Sequence, residues 1–499
     1  MNANLYTVFR DRFHSSMDRP FLVVPGGPTW TYSELDETTA RISAVLRDHG
    51  VTKGERVVVQ VAKSPMAVAL YLACLRVGAV YVPLNDGYAP AEVTFFVDDA
   101  EPAVVVLDPQ APRPEGADSL LTLDAAGAGT LALFVRDASP DGELAVMNGD
   151  DRAAMCYTSG TTGRSKGAIL TTGNLTSNAV TLHEVWGFEP GDVLLHILPV
   201  FHVHGLFVAL HTALLNASTV VFLPRFDVDA VLAALPSASV VMGVPTHYAR
   251  LLADGRMDRD ACRSIRLFVS GSAPLLSADF DAFHTRTGHV ILERYGMTET
   301  GMITSNPLDG ERVAGSVGYA LPGVDVRVVT DDGTLAAPGE AGAVEVRGPN
   351  VFAGYWKLPD KTTEAFRPDG FFVTGDIGEM AADGRLTLVG RASDLIISGG
   401  YNIYPAEVEN ALDELGQVRE SAVIGVPHPD MGEGIVAIVV PAEAGFADAA
   451  ALKAALVDKL ARFKQPRKIA FVDELPKNGM GKVQKNLLRD AYAATFTVT

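Results

Sequence analysis

Short apolar runs rich in β-branched residues recur through the first part of this chain and limit what it can fold into. Several of them, such as residues 57–62, 103–108 and 219–224, are apolar on both faces of a strand, which is typical of strands that helices cover on both sides. Segments with the character of helices lie between them, for example residues 33–49 and 227–235. This alternation predicts parallel sheets layered with helices, the α/β class.

The chain of 499 residues is too long for one hydrophobic core, so we expect two or more domains. After about residue 310 the sequence becomes rich in glycine and in short alternating strands, which predicts a small β-structure. We therefore expect a large N-terminal domain over residues 1–392, built from layered α/β sheets and the small β-structure. A smaller α+β domain would cover residues 393–499.

Charge and cysteine content exclude several classes of protein. Acidic residues outnumber basic residues by 60 to 41, for a net charge of −19, which argues against a protein that coats nucleic acid or an anionic membrane. The cysteines are far apart and lack the spacing of metal ligands. Arg10, Asp11 and Arg12 stand where a signal peptide needs an apolar core, so we expect a cytoplasmic protein.

One long stretch, residues 193–224, contains no Lys, Arg, Asp or Glu and is long enough to span a bilayer. Pro199 and several histidines interrupt it, so we predict a buried strand, a loop and a buried helix instead. The histidines do not have metal-ligand spacing, and we interpret them as pocket lining and core residues: His196, His202, His204 and His211.

A loop dense in hydrogen-bond donors follows the predicted strand at residues 153–157. Residues 157–167 are Tyr-Thr-Ser-Gly-Thr-Thr-Gly-Arg-Ser-Lys-Gly. The glycines allow successive backbone N–H groups to point into one concavity, while the hydroxyls and Lys166 add donors and a positive charge. The spacing is not that of a Walker A loop, but the density of donors favours polyphosphate binding over a plain surface loop.

This loop, TSGTTGRSKG at residues 158–167, resembles the signature of the adenylate-forming enzymes, which include acyl-CoA synthetases, peptide-synthetase adenylation domains and firefly-type luciferases. The other motifs of the family follow in family order over more than 300 residues. They are HVHG at 202–205, GSAPL at 271–275, YGMTET at 295–300, TGD at 374–376, GRASDLIISGGYNIYP at 390–405 and PKNGMGKVQK at 476–485.

The resemblance implies an ATP-dependent ligase reaction in two halves. A carboxylate would attack the α-phosphate of ATP to give an acyl-adenylate and pyrophosphate, and the thiol of CoA would then displace AMP. The residues that it implies for ATP binding are Thr158, Ser159, Gly160, Thr161, Thr162, Gly163, Lys166, Gly271, Ser272, Ala273, Pro274, Tyr295, Gly296, Asp376 and Arg391.

The resemblance also implies a role for three catalytic residues. Thr298 would contact the α-phosphate, Glu299 would hold Mg²⁺, and Lys482 would bridge the substrate carboxylate and the α-phosphate. Thr162 is a second candidate contact for the ion. A purely structural interpretation stays open for residues 295–299, which could begin a helix with Thr298 as its N-cap.

Within the ATP site, Tyr295 would stack on the adenine, Asp376 would accept from the ribose hydroxyls, and Arg391 would add a ribose or phosphate contact. The family's C-terminal domain rotates between a pose for adenylation and a pose for thioester formation. The hinge residue, commonly Asp or Lys, corresponds here to Ser393, with Asp394 following it.

The positions where the family builds its acyl pocket carry His202, Val203, His204, Ser270, Arg294 and Met302, and the path of the CoA pantetheine would be lined by Gly399 and Gly400. Arg294 stands where the family commonly has a small residue. A buried arginine needs an anionic partner, and its planar fork suits a carboxylate. The strings HVHGLFVA, VSGSAPL, LERYGMTETGM and GPNVFAGYW together resemble those of malonyl-CoA synthetases. The resemblance implies malonate as the acid, and we expect methylmalonate to overlap with it because apolar pockets discriminate poorly by one carbon.

The sequence alone leaves open other roles for Arg294 and other functions for the protein. Arg294 could pair internally with Glu293 or another acidic residue, and Arg225 or Arg250 could contact the distal carboxylate instead. The protein would then be another short-chain or aryl acyl-CoA synthetase. A peptide-synthetase adenylation domain and a nucleotide-binding module without catalysis are further alternatives.

Overall fold

A computed structural model describes residues 2–158, 165–398, 401–443, 445–457, 459–478 and 481–496, which form a mixed α/β fold. The helices are α1 (Leu5–Phe13), α2 (Tyr32–Asp48), α3 (Pro65–Val77), α4 (Pro90–Ala100), α5 (Thr130–Asp137), α6 (Thr172–Val185), α7 (His211–Leu215), α8 (Val228–Ala234), α9 (Pro245–Leu252), α10 (Ser277–Thr287), α11 (Pro359–Ala365), α12 (Pro405–Asp413), α13 (Ala449–Leu456) and α14 (Lys485–Tyr492).

Helices separate most of the strands up to about residue 290, whereas the strands between residues 292 and 355 follow one another directly. They are β1 (Pro20–Val23), β2 (Thr29–Thr31), β3 (Arg56–Gln60), β4 (Val80–Pro83), β5 (Val104–Leu107), β6 (Leu120–Thr122), β7 (Arg152–Thr158), β8 (Lys166–Thr171), β9 (Val193–His196), β10 (Thr219–Phe222), β11 (Val240–Gly243), β12 (Leu267–Ser270), β13 (Leu292–Met297), β14 (Gly301–Ser305), β15 (Ser316–Ala320), β16 (Asp325–Val329), β17 (Ala341–Arg347), β18 (Gly354–Tyr355), β19 (Phe372–Met380), β20 (Leu386–Arg391), β21 (Ile396–Ser398), β22 (Tyr401–Ile403), β23 (Val418–His428), β24 (Gly432–Pro441) and β25 (Lys468–Phe471).

The largest sheet joins a parallel half to an antiparallel half. Its order is β16-β17-β19-β20-β15-β14-β13-β12-β11-β9-β10-β1-β2. The strands from β13 to β1 run parallel to one another, whereas β14 to β20 pair in antiparallel fashion. The antiparallel half corresponds to the small β-structure predicted after residue 310.

A second sheet has the order β18-β8-β7-β4-β3-β5-β6, with parallel pairing from β7 to β6. Helix α3 follows β3 and is buried almost all round, in accord with its apolar sequence. Its ends are well defined, because the Ser64 hydroxyl accepts from the Ala67 N–H and Gly78 closes the last turn at φ 74°. The α/β class predicted from the alternating runs is therefore confirmed.

The C-terminal part of the chain forms a third sheet of its own. Strands β22, β21, β24 and β23 are neighbours in that order, and β25 pairs with β24. Its apolar side chains form two clusters that draw only on residues 396–496, one on each face of the sheet. This arrangement is the α+β pattern expected for the smaller domain.

The uncharged stretch at residues 193–224 is a buried part of the largest sheet. It contains β9, a π-helical segment at His204–Leu210 that continues into α7, and β10. A strand, a loop and a buried helix were predicted there, and the π-helical segment is a local departure often found near functional sites. Among the described residues, no helix combines the length and apolar character that crossing a bilayer requires.

Candidate active site

The predicted acyl-pocket residues gather at one edge of the largest sheet, beyond the carboxyl ends of its parallel strands. Ser270 is the last residue of β12, and Arg294 lies on the neighbouring strand β13. His204 begins the π-helical segment that follows β9. Ligands of α/β sheets bind at such an edge, so this is the candidate active site.

Arg294 places a buried positive charge at this edge. Its side chain is 3% exposed, and its guanidinium packs so closely against Gly271 that a Cβ atom at that position would collide with it. The Nε and Nη2 groups have no hydrogen-bond partner in the part of the chain that the structure describes. Burial lowers the pKa of the Arg294 guanidinium to about 9, and only the Tyr248 phenol acts against that shift.

The geometry does not pair Arg294 with Glu293. Neighbouring side chains on a strand point to opposite faces, and the groups that act on the Glu293 carboxyl are the backbone at Gly315 and at Leu275, not Arg294. Burial raises the pKa of Glu293 to about 8. Arg225 and Arg250, the other candidates for a distal contact, are exposed.

Two more polar atoms beside Arg294 are buried and have no partner among the described residues: Nε2 of His204 and Oγ of Ser270. Nδ1 of His204 lies 3.3 Å from Oγ of Ser272. The His204 backbone N–H donates to Nδ1 of His202 over 3.2 Å. Since buried polar groups are normally satisfied, these unpaired groups indicate a place for a polar ligand.

The two histidines are neutral at physiological pH. Burial, and to a smaller extent the charge of Arg294, lowers the pKa of His202 to about 4. The same two causes, burial first, hold the pKa of His204 well below its usual range. The positive charge of the pocket is therefore that of Arg294, and the histidines can contribute hydrogen bonds.

Val203 and Met302, the apolar residues predicted for the acyl pocket, are both buried. Met302 is held in place by Asn178, whose Nδ2 donates to the Met302 carbonyl over 2.9 Å and whose Oδ1 accepts from the Met302 N–H over 3.0 Å. A small cavity lies behind Val203, lined by Leu170, Asn174, Leu175, Asn178, Phe207, Gly301 and Asn350. Because Val203 and Met302 are buried, the packing around them restricts their movement.

Glu299 is a buried carboxylate close to the predicted phosphate loop. Thr158 at the end of β7 donates to its Oε1 over 3.3 Å, and the Tyr355 hydroxyl donates to the same oxygen over 3.1 Å. Burial raises the pKa of Glu299. A buried carboxylate oriented by hydroxyl donors, with no ion-pair partner among the described residues, fits one ligand of a hard cation whose other ligands are phosphate oxygens.

Tyr355 was missed from the sequence, where it stands in an aromatic GYW string without a charge. Strand β18 brings it beside β8, and its ring lies 4.7 Å from Nζ of Lys166. The Tyr355 ring thus contacts the predicted phosphate-binding lysine, and its hydroxyl contacts the predicted metal ligand.

The segment Met297–Thr300 is a turn between the antiparallel strands β13 and β14. The interpretation of residues 295–299 as the start of a helix is wrong, because Tyr295 and Gly296 pair with the following strand. Gly296 is needed there, since a Cβ atom would collide with the backbone of Gly301 and with Met302. Thr298 lies half-buried in this turn, next to Glu299.

Asp376, Tyr295 and Arg391 form one cluster on the β13, β19 and β20 strands. The Tyr295 hydroxyl donates to Oδ2 of Asp376 over 2.5 Å, and Nε of Arg391 lies 2.9 Å from Oδ1. A carboxylate has about four acceptor positions, so Asp376 can still accept from two hydroxyl groups. Tyr295 is buried, and its ring is fixed by this hydrogen bond.

The GSAPL segment follows β12 and borders the pocket. Ser272 has φ 74°, a conformation that is uncommon for a residue with a side chain. Gly271 is buried, Ser272 and Ala273 are half-buried, and Pro274 is exposed. The segment therefore carries a half-buried residue in an uncommon conformation directly after Gly271, on which Arg294 packs.

Lys482 reaches this cluster from the C-terminal part of the chain. Its pKa is lowered, by desolvation in the cleft and by Arg391, while Asp376 and Asp394 act in the opposite direction. Gly481, with φ 75°, packs against Thr246 at the start of α9. The lysine loop thus lies over the edge of the largest sheet in this structure.

Asp394 and Ser393 lie in a short 3-10 turn, Ala392–Asp394, directly after β20. Asp394 forms an ion pair with Arg489 of α14 at 2.6 Å. Other predicted site residues lie outside the described residues: Ser159, Gly160, Thr161, Thr162, Gly163, Gly399 and Gly400.

The remaining histidines of the uncharged stretch have partners in the core. Nε2 of His196 lies 2.9 Å from the Gly205 carbonyl, and Nε2 of His211 lies 2.7 Å from the Tyr71 hydroxyl. Across the described ranges, no group of three or more His, Cys, Asp or Glu side chains could hold a metal ion. These two histidines connect buried elements.

Two family models match the chain. Residues 9–356 match the model for AMP-binding enzyme, and residues 407–482 match that for the AMP-binding enzyme C-terminal domain. The chain is 36% identical over 477 residues to an indoleacetate–CoA ligase of Aromatoleum aromaticum, which covers 93% of each chain.

Two further relatives cover nearly all of the chain. A malonate–CoA ligase of Arabidopsis thaliana is 33% identical over 556 residues, covering 98% of this chain and 89% of the relative. The crystal structure of ATP-bound MatB from Rhodopseudomonas palustris superposes with a TM-score of 0.96 at 46% identity and covers 100% of both chains.

Proposed function

The chain belongs to the AMP-binding enzyme family, as an AMP-forming acyl-CoA synthetase, and we propose that the acid it activates is malonate. The relatives named above act, by their names, on acids as different as indoleacetate and malonate, so membership of the family does not select the acid. The choice depends on the residues of the acyl pocket.

The observation that carries the proposal is the buried guanidinium of Arg294, whose Nε and Nη2 have no hydrogen-bond partner among the described residues. Leaving such a charge without a partner is costly, and a second carboxylate on the substrate would provide the partner. Nε2 of His204 and Oγ of Ser270, which are also unpaired, would complete the set of hydrogen bonds. An acid with one carboxylate would leave all three groups unsatisfied.

The length of the acid follows from the apolar surface around Arg294. Val203 and Met302 are buried apolar residues, and as lining of the pocket they would limit the space between the two carboxylates to a short carbon chain. A single methyl branch changes the transfer free energy by only about 1 kcal/mol, which a rigid apolar pocket discriminates weakly. Methylmalonate is therefore proposed as a second substrate.

The first half-reaction joins the acid to ATP. A carboxylate oxygen of malonate forms a bond to the α-phosphorus while the bond to pyrophosphate breaks, so negative charge builds on the phosphate oxygens. Lys482 would bridge the attacking carboxylate and the α-phosphate, and Thr298 would donate to the latter. Lys166 and the donors of residues 158–163 would hold the β- and γ-phosphates.

The nucleotide would be held at its other end by a separate set of groups. Tyr295 would stack on the adenine beside residues 271–274, and Asp376 and Arg391 would bind the ribose. Glu299 would hold the Mg²⁺ of MgATP, with Thr162 as a second candidate contact. When bound, that ion neutralises charge on the phosphates.

The second half-reaction requires a different arrangement of the chain. The CoA thiol forms the thioester bond, AMP leaves, and the thiol proton is released to solvent. We propose that residues 393–499 move relative to residues 1–392, turning near Ser393 and Asp394. The pair Arg391–Asp376 ends the N-terminal side, and the pair Asp394–Arg489 anchors the C-terminal side, so the turning point lies between them.

The proposal is tested by release of AMP with ATP, CoA and a panel of acids: acetate, propionate, malonate, methylmalonate, succinate and benzoate. Malonate should have the highest kcat/KM, followed by methylmalonate. A preference for acetate or benzoate over malonate would contradict the dicarboxylate assignment. Failure with every acid of the panel would likewise contradict the malonate assignment.

A substitution at Arg294 separates a substrate contact from a structural role. Arg294→Met, which keeps the volume and removes the charge, should lower kcat/KM for malonate by about 100-fold or more and for propionate by less than about tenfold. Arg225→Met, at an exposed position, is the matched control and should leave both values unchanged. Equal losses for both acids would assign Arg294 to the structure alone.

A further inference from the structure

Tyr355 contacts two groups of the nucleotide site at once. Its hydroxyl lies 3.1 Å from Oε1 of Glu299, and its ring centroid lies 4.7 Å from Nζ of Lys166. Lys166 is the first residue of β8, and Glu299 lies in the turn between β13 and β14. The two side chains carry opposite charges. A single aromatic residue thus lies between the proposed metal ligand and the proposed phosphate ligand.

The position of Tyr355 is fixed by its own surroundings. Its backbone N–H donates to Oγ1 of Thr362 over 2.9 Å, and its ring packs edge-on against Phe352 with centroids 4.8 Å apart. The Phe352 N–H in turn donates to the Glu299 carbonyl over 2.7 Å. Backbone and side-chain contacts therefore tie Tyr355 to the turn that carries Glu299.

The hydroxyl of Tyr355 acts as a donor to Glu299. An ionised carboxylate can only accept hydrogen bonds, so the hydroxyl of Tyr355 is the donor in its 3.1 Å contact with Oε1 of Glu299. Thr158 donates to the same oxygen, Oε1. Two donors on one oxygen orient the carboxylate plane, which determines where a bound cation would lie.

The ring of Tyr355 holds Lys166 by a different kind of interaction. A cation above an aromatic face is attracted by the ring quadrupole without losing its charge. In the described part of the chain, Lys166 has no carboxylate within ion-pair distance. Its charge is therefore held in place and still available to an anionic ligand.

We propose that Tyr355 is a positioning residue for MgATP, whose hydroxyl orients Glu299 toward the metal ion and whose ring holds Lys166 toward the phosphates. The inference rests on the proposed roles of Glu299 and Lys166. It is independent of the acid, because the contacts of Tyr355 lie at the nucleotide end of the site. The two parts of the residue have separable effects.

The test is calorimetric binding of ATP, without acid or CoA, in the presence of Mg²⁺ and in the presence of EDTA. Tyr355→Phe keeps the ring and removes the hydroxyl. It should weaken ATP binding about fivefold or more in Mg²⁺ and less than about twofold in EDTA. The lost hydrogen bond to the charged Glu299 affects ATP affinity only when Glu299 holds the metal ion. Tyr355→Leu should weaken binding in both conditions, because Lys166 also loses its support.

Tyr319→Phe is the matched control, since its hydroxyl donates to the exposed Asp383 over 3.4 Å, away from the site. It should bind ATP like the unsubstituted protein, and thermal melting should show all variants folded. Equal weakening of Tyr355→Phe in Mg²⁺ and in EDTA, or no weakening in either, would overturn the proposal. Neither result depends on which acid the enzyme activates, so failure of the malonate assignment is detected separately by the acid panel.

Discussion

The guanidinium of Arg294 packs against the backbone of Gly271, in a space that a methyl group at residue 271 would occupy. Both residues are buried, with Gly271 directly after the end of β12 and Arg294 within the adjacent parallel strand β13. Gly271 is thus part of the acid site, because its lack of a side chain leaves the space that the Arg294 guanidinium occupies. The position of the charge depends on the absence of a side chain.

Gly271→Ala should therefore displace the guanidinium and reduce selectivity for malonate. We expect kcat/KM for malonate to fall about tenfold to 100-fold, with a smaller effect on propionate, because the added methyl group is a local overpacking. Steady-state kinetics with both acids measures the ratio. Gly416→Ala, where the new methyl group meets nothing within 4 Å, is the control. An unchanged ratio in Gly271→Ala would show that this packing does not set the position of the charge.

The sequence allowed some of these relationships to be predicted and hid others. The alternating apolar runs predicted the α/β sheets because burial on both faces leaves a direct pattern in the residues. The opposite orientation of Glu293 and Arg294 was also available, since strand side chains alternate with a period of two. This alternation disfavours an ion pair between Glu293 and Arg294, which the sequence alone had left open.

Contacts that depend on the pairing of distant strands could not be predicted from the sequence. Tyr355 reaches Glu299 because β18 pairs with β8, and no local pattern connects residues that are 56 positions apart. The turn at Thr298 was open to a helical interpretation because an N-cap residue and a turn residue share their preferences. The antiparallel partner strand, β14, decides between the two.

Lys482→Ala should separate the two half-reactions. Adenylation, measured by pyrophosphate exchange, should fall by about 100-fold to 1,000-fold, because a positive charge beside the reacting phosphate is removed. Thioester formation from supplied acyl-adenylate should change less than about threefold. Lys485→Ala removes a nearby lysine that is paired with Glu409 at 2.7 Å, and adenylation should survive there. Equal losses in both halves for Lys482→Ala would contradict its proposed role.

The contact between Gly481 and Thr246 offers an independent test of the pose of the lysine loop. Gly481→Ala should slow adenylation about tenfold or more, since a methyl group there would lie 2.6 Å from Oγ1 of Thr246 and φ is 75°. Thioester formation from acyl-adenylate should be affected less. Adding Thr246→Ala should restore part of the adenylation rate by removing the obstructing atoms.

Gly370→Ala is the control for backbone strain alone, because φ is 85° there and the nearest neighbour is Cδ of Arg347 at 3.8 Å. It should lower thermal stability without changing the ratio of the two half-reaction rates. If Gly481→Ala behaved in the same way, and Thr246→Ala restored nothing, the loop would not dock on α9 during adenylation.

Glu293 predicts how stability depends on pH. Burial raises the pKa of its carboxyl from 4.5 to about 8, so between these values the folded protein holds a proton that the unfolded chain releases. Stability should therefore fall as pH rises across this window, by at most about 1.4 kcal/mol per pH unit, and the effect should level off above pH 8.

Glu293→Gln removes this titration and keeps an acceptor for the backbone at Leu275 and Gly315. The midpoint of thermal unfolding from pH 5 to pH 8 should then decline less steeply in Glu293→Gln than in the unsubstituted protein. Glu311→Gln, at a side chain that is 80% exposed, is the control and should leave the profile unchanged. Parallel profiles for Glu293→Gln and the unsubstituted protein would mean that Glu293 is already ionised in the fold.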